Sequence, residues 1–323
     1  IVDGLRAIDE AIHFLQMDSG DRLGHALALG VSPVEWYQFK GRRVLLTKQD
    51  HLDNIVWIYM KIRKYNIHHS ESMLQELQRE YVHCFQEIYG TNIDCDINVY
   101  YDAWKLRGDN PEMYMEERFE EAYTEWDYFA KNDCYRENKK IRRQELCRQL
   151  YLIYHYDEEV KKRGAEVVEC KVSRELMEVT EQIQRCLQKE IAGMGISVES
   201  NPSSNYMIGT FNRYDQHPIK NFYNKGLTAD YKELMDNPQI DVTINTDDQA
   251  VFATSLENEY AYIALAMEKL RDEKGKNVYC RSMIYEWLNN IRRNSKKVCF
   301  LQNLDYGTQR AAIGISEDDE ENE

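Results

Sequence analysis

The sequence predicts an α/β protein with parallel strands, interrupted by a large all-helical block. Short apolar segments end in clusters of polar residues, and helical periodicities stand between them. One long stretch, residues 50–172, is dense in Tyr, Glu, Lys and Arg and shows helical periodicity with little strand signal. Alternating helix and strand, with polar groups crowded at the C-terminal strand ends, is the pattern of a parallel barrel or sheet. In such folds the chemistry sits where the strands end.

Residues 1–49 open with a helical pattern that puts Ile8, Ile12 and Leu15 on one face. A short apolar strand candidate, "GDRLGHALALG", follows and closes on glycine. Within 50–172, helices are predicted over 51–65, 72–90, 112–132 and 138–163, punctuated by Gly90, residues 108–111 and Gly164. From 173 the rhythm changes. Residues 173–195 place Leu176, Val179, Ile183, Leu187 and Ile191 on one stripe and stop at glycines. They feed "ISVESNPSSN", a strand followed by a Pro/Ser/Asn loop, and a loop-rich segment around His217-Pro218 leads to "IDVTINTDD". The segment 173–270 closes with a helix over 255–272, and 271–323 is read as C-terminal helical sequence with a solvated acidic tail at 317–323.

At 323 residues the chain can bury a large core, and 43% hydrophobic with 30% charged residues reads as globular and soluble. A net charge of −15 argues against broad, unaided binding to nucleic acid or an anionic membrane. No apolar run reaches the ~18 residues of a membrane helix, and the N-terminus lacks the features of a signal peptide. A cytoplasmic protein without a membrane partner is expected. The chain opens inside a helical pattern with no initiator Met, so it is expected to begin partway through a longer protein. Eight cysteines without a CxxC pair exclude a zinc finger and argue against a disulfide framework.

Three strand ends carry unusual polar groups: His25, Glu199 with residues 201–205, and Asp247-Asp248. Each has a plain structural alternative. A histidine after a glycine can be a hydrogen-bonded core residue, "NPSSN" an ordinary turn, and a doubled acid a helix N-cap with an acidic first turn. Two adjacent carboxylates repel, however, and burying either unpaired is costly. A cation, or a ligand offering donors, resolves that conflict. In the helical block, Trp57, Trp104, Trp126, Tyr100, Tyr101, Tyr151 and Tyr154 read as core. Arg107 and Asp109, flanking a glycine, are candidates for touching phosphate or a neighbouring subunit. His217 reads as a loop cap that could also orient a loop over the site. His13, His51, His83 and His155 read as structural or exposed.

The segments "RLGHA", "ESNPSSN", "HPI" and "TINTDD", in that order, resemble the metal-dependent adenosine deaminases of the amidohydrolase superfamily. The resemblance covers roughly residues 5–40 and 173–270. It implies the C-terminal part of a (β/α)8 TIM-type barrel, strands six to eight, with 50–172 as an all-helical insertion. Asp247 then resembles the aspartate ligand of a divalent metal, zinc foremost, and Asp248 the acid that hydrogen-bonds the purine ring. His25 resembles the residue beside the metal-bound water, which the metal makes acidic enough to displace ammonia near neutral pH. Ser203 and Asn205 are candidates for lining the base or ribose pocket, with loop stabilisation as the alternative.

The sequence also departs from that family. It has no His-x-His pair and no His-x-Gly-Glu, so the remaining ligands and the proton-shuttling Glu are expected upstream of Ile1. The connection after the His25 strand is far longer than a single helix. In this the chain resembles the enlarged bacterial phage-defence deaminases of the RADAR type, with CRISPR-associated deaminases as a second candidate. The RADAR type implies a homo-oligomer, an ATPase partner protein, and adenosine or adenine nucleotides as substrate. The alternative function is a catalytically incomplete deaminase-like scaffold whose helical insertion builds an assembly.

Overall fold

The structure is a computed structural model and describes residues 1–114, 133–209, 211 and 213–299. The chain divides into two units: residues 1–10 with 32–183, and residues 11–31 with 184–323. Five strands are described: β1 (Arg22–Gly24), β2 (Arg43–Thr47), β3 (Val167–Lys171), β4 (Ser197–Ser200) and β5 (Val242–Ile244).

In the first unit β2 and β3 pair antiparallel, Arg43 opposite Lys171 and Thr47 opposite Val167. The block expected to be all-helical therefore ends on a strand, whose β-branched "VV" start the helical reading passed over. Thr47 both closes β2 and caps the helix Lys48–Tyr65, its hydroxyl accepting from the Asp50 N–H at 3.0 Å. That helix is buried on nearly every side, from Leu52 to Ile62, so its polar members need partners. Lys61 donates to Asp9 at 2.6 Å, and the Trp57 indole donates to the same carboxylate at 2.8 Å. Asp9 thus belongs to the buried stripe of the helix Val2–Phe14, with Val2, Leu5 and Ile12, whereas Leu15 lies beyond that helix and is exposed.

The helix Glu71–Tyr89 buries Tyr81, Phe85 and Tyr89, which meet Tyr100 edge-on at centroid separations of 5.8–6.0 Å. Trp57, Trp104, Tyr100 and Tyr151 are all buried. Tyr100 belongs to a helix not anticipated, Ile97–Lys105, begun by the Asp96 side chain accepting from the Asn98 N–H. Residues 138–163, read as one helix, fall into three: Asp133–Arg142, Glu145–Tyr156 and Glu158–Gly164. The last begins where the Asp157 carboxylate accepts from the Glu159 and Val160 N–H groups, an N-cap inside what looked like continuous periodicity. The expected helix 112–132, with Trp126, lies mostly outside the described residues, as does the acidic tail.

Arg107 and Asp109, the pair that could have faced a phosphate or another subunit, are engaged internally. Arg107 makes a two-pronged contact with Asp53 at 2.6 and 3.0 Å. Asp109 receives Arg142 at 2.7 and 2.6 Å and the Tyr114 hydroxyl at 2.5 Å. They do lie in the turn after Lys105, and their engagement is not visible locally because the residues that pair with them are far away along the chain.

In the second unit β1, β4 and β5 form a parallel sheet in that order, with Gly24 opposite Glu199 and Ser200 opposite Ile244. Parallel pairing of these three strands is the expected arrangement. Among the described residues the sheet does not close into a barrel, since β1 and β5 are its outer strands. The helix Arg281–Lys297 lays Ile284, Trp287, Leu288 and Ile291 along one stripe and packs on β5. The backbone at Gly226 (φ 106°) comes so close to that helix that a Cβ there would stand 2.8 Å from the Trp287 nitrogen.

Candidate active site

The three parallel strands end together, and each end turns sharply. β1 stops at Gly24, and the next two residues, His25 (φ 60°) and Ala26 (φ 44°), take the left-handed conformation that non-glycine residues avoid. Such backbone costs about 1–3 kcal/mol per residue and survives where surrounding contacts over-determine it. Here the His25 N–H extends the ladder to the Glu199 carbonyl at 2.9 Å. The following turn, Leu27–Gly30, is pinned by buried amides: Gln184 donates to the Ala28 and Val31 carbonyls, Gln188 to Leu29, and Asn221 to Gly30. His25 is therefore presented by a rigid turn.

β4 runs into "NPSSN", which is a helix, Pro202–Ile208, and not a loop. Pro202 occupies its first turn, where a missing N–H is harmless. The Asn201 side chain makes no capping bond. Instead the buried Glu259 carboxylate accepts from the Ser203 N–H at 2.8 Å and from the Thr254 hydroxyl. This short helix aims Ser204 at Asp247, the hydroxyl donating to Oδ2 at 2.7 Å.

β5 ends with the Asn245 N–H on the Ser200 carbonyl at 2.9 Å. Asp247 then turns left-handed (φ 57°) and Asp248 does not, so the doubled acid diverges. Asp247 Oδ2 comes 3.6 Å from His25 Nε2, and the two side chains are 35% and 37% exposed, open enough to meet a ligand. Asp248 is exposed and caps the short helix Gln249–Phe252, its Oδ1 accepting from Ala250 and Val251. The plain alternative thus describes Asp248, whereas Asp247 accepts from Ser204 and faces His25.

Of the five residues singled out, His25 and Asp247 meet directly. Ser203 is buried, its N–H on Glu259 and its hydroxyl 3.5 Å from that of Tyr214. Asn205 is 0% exposed, and its amide lies between two histidines: Nδ2 is 2.8 Å from His25 Nδ1, and Oδ1 is 2.9 Å from His217 Nε2. Both positions differ from the pocket-lining expectation, because the helix turns these side chains inward. Ser204 and His217 were not singled out as site residues. "NPSSN" contained the first; no local pattern marks the second as a neighbour of Asn205.

Burial pushes the His217 imidazole down to about 3 from an ordinary value of 6.5. The unfolded chain therefore binds a proton, between those values, that the folded chain refuses. Stability is complete above about pH 6.5 and declines as the pH falls towards 3. Urea unfolding at pH 7 and pH 4.5 is expected to show the second unit losing stability with acid. His217→Gln is expected to be less stable at pH 7 but to lose less over the same interval. Equal losses in both proteins would show that His217 does not titrate on unfolding.

The site is an imidazole–carboxylate pair at the C-terminal ends of parallel strands, an arrangement suited to proton handling in hydrolysis. Residues 165–295, under half of the chain, match the adenosine deaminase family model. A stretch of the chain is 34% identical over 115 residues to the aminodeoxyfutalosine deaminase of Streptomyces avermitilis, covering 36% of this chain and 25% of that protein. The chain thus spans about a quarter of the length of the curated relative it matches. These matches support the adenosine deaminase family and hydrolytic deamination in general. The family match takes in β4, β5, Asn205, Asp247 and Asp248; His25 lies outside it.

That family generally uses a divalent metal, typically zinc. Among the described residues no group of three or more His, Cys, Asp or Glu could hold a metal ion, whereas a zinc centre takes at least three protein ligands. By themselves the side chains described here do not fit such a centre. No described helix is long and apolar enough to cross a membrane.

Proposed function

We propose that the protein hydrolytically deaminates adenosine or an adenine nucleotide to the inosine form, with His25 and Asp247 at the reacting centre and Asp248 towards the base. The observation that carries this reading is the His25–Asp247 approach at 3.6 Å, in a chain with a segment that matches deaminases. In the reaction a water oxygen bonds to the ring carbon, the exocyclic C–N bond breaks, and ammonia leaves with a proton. His25 Nε2 stands to hydrogen-bond the attacking oxygen, and the Asp247 carboxylate to counter positive charge beside it. The oxygen of Asp248 not engaged in the cap is available to a ring nitrogen that takes up a proton as water adds to the ring. Asp247 would contribute one ligand to a divalent ion, zinc foremost.

The long, mainly helical stretch between β1 and β4, which also holds β2 and β3, supports a finer reading: a cytoplasmic, RADAR-type deaminase of bacterial antiphage defence, homo-oligomeric and working with an ATPase partner. The second reading is a catalytically incomplete, deaminase-like scaffold whose helical insertion builds an assembly.

Ammonia release from adenosine, ATP and aminodeoxyfutalosine, measured on the longest natural form of the protein with Zn2+ supplied, separates these readings. Turnover of an adenine substrate is expected; none on any of the three favours the scaffold. Asp248→Asn keeps an equally good cap but removes the charge facing the ring. It is expected to leave the melting temperature nearly unchanged and to lower kcat/KM about 10- to 100-fold, the worth of a hydrogen bond to a charged group. An unchanged kcat/KM would confine Asp248 to its capping role.

A further inference from the structure

We propose that Asn205 and His217 are positioning residues that fix the tautomer and aim of His25, so that an Nε2–H bond, and not a nitrogen lone pair, faces Asp247. The inference rests on the reading of His25 as the group beside the reacting centre.

Amide flips and imidazole tautomers are settled by their hydrogen-bond partners, and here two backbone N–H groups, which can only donate, settle them. The Ile219 N–H points at His217 Nδ1 at 3.2 Å. That nitrogen must be an acceptor, so neutral His217 carries its proton on Nε2. His217 Nε2–H then donates to Asn205 Oδ1 at 2.9 Å, and the Asn201 N–H donates to the same oxygen at 3.1 Å. With its oxygen taken by two donors, the Asn205 amide has one orientation, and Nδ2 must face His25. It donates to His25 Nδ1 at 2.8 Å. His25 Nδ1 is thereby an acceptor, and the ring's proton sits on Nε2, 3.6 Å from Asp247 Oδ2.

The relay is buried where direction matters. Asn205 is 0% and His217 2% exposed, so water does not compete for these bonds. Burial also keeps His217 neutral over the working pH range, which preserves its acceptor at Nδ1. Only the last ring, His25, reaches the open site. Two consequences follow for the chemistry. In its resting form His25 is a hydrogen-bond donor to the oxygen that attacks or to the oxyanion that forms, and not a base. Its Nε2 also offers no lone pair to a metal.

Two-bond 1H–15N correlation spectra of the histidine-15N-labelled full chain test this directly, with the His25 and His217 signals assigned by their loss in His25→Gln and His217→Gln. Both rings are expected to show the Nε2–H pattern at neutral pH. An Nδ1–H pattern for either ring in the wild-type chain overturns the relay without any variant. Asn205→Asp replaces the amide donor with an acceptor of the same shape and is expected to move the His25 proton to Nδ1. An unmoved His25 proton in a folded variant would also overturn the relay. In the active enzyme the same variant is expected to lower kcat about 10- to 100-fold, the usual cost of losing an orienting partner, with KM little changed. Nε2–H patterns in a chain that releases no ammonia would support the relay and remove the proposed function. A deaminase with the wrong tautomers would do the reverse.

Discussion

Asp247→Ala is expected to abolish ammonia release from every substrate the wild-type protein turns over, and His25→Ala to reduce it by about two to four orders of magnitude. Asp247 is where the site converges: the Ser204 hydroxyl donates to Oδ2 at 2.7 Å, and His25 Nε2 approaches the same oxygen at 3.6 Å. Removing the carboxylate removes both the charge and the reference point for the imidazole. Removing His25 takes away one donor aimed at the reacting oxygen, and a single group of that kind is commonly worth a factor of about 10²–10⁴. Ser204→Ala is the graded control, since it leaves the carboxylate in place. Both site residues are partly exposed, and neither is part of the core, so circular dichroism and melting should remain near wild type. Full turnover by Asp247→Ala would remove Asp247 from the mechanism and with it the reading of the site.

Asp53→Ala is expected to destabilise the first unit by about 3–5 kcal/mol, the usual result of stripping one partner from a buried ion pair. Asp53 is almost fully buried and receives Arg107 twice, the Tyr100 hydroxyl at 2.7 Å and the Gln49 amide at 3.0 Å, with Arg6 at 3.5 Å. Without the carboxylate, the guanidinium of Arg107 loses its anionic partner and keeps the Tyr100 hydroxyl and aromatic faces, with Tyr154 at 4.0 Å and Trp104 at 5.3 Å to the ring centroids. The measurement is urea unfolding of wild type, Asp53→Ala, Arg107→Met and the double variant Asp53→Leu with Arg107→Met. The double variant should recover much of the loss, because an apolar pair of similar volume carries no uncompensated charge. A loss below about 1 kcal/mol in Asp53→Ala would mean that water reaches the pair.

Much of this was legible from local pattern. Residues 173–195 displayed their stripe and form the helix Arg174–Met194. The apolar alternation at 242–244 and the run into "ESNPSSN" located β5 and β4. The polar residues that follow strand ends pointed to one end of the sheet. What stayed illegible were features decided by a single cap or a distant partner. Asp157 breaks a helical run at one carboxylate. Pro202 starts a helix because Glu259, 56 positions from Ser203, supplies the missing acceptor. Arg107 and Asp109 read as candidates for touching phosphate or another subunit because Asp53 and Arg142 lie 54 and 33 positions from them.

The sequence by itself determined the three parallel strands and the helices with a clear apolar stripe, and that His25 and the two aspartates stand where those strands end, because periodicity is written in neighbouring residues. Only the tertiary structure decided what those groups do to one another. It made the two acids diverge through the left-handed backbone of Asp247 (φ 57°). It also put an Asn205 amide against a histidine 180 positions away. Hydrogen bonds act over about 3 Å in space and are indifferent to distance along the chain. Partners that burial alone brings together leave no periodic mark in the sequence.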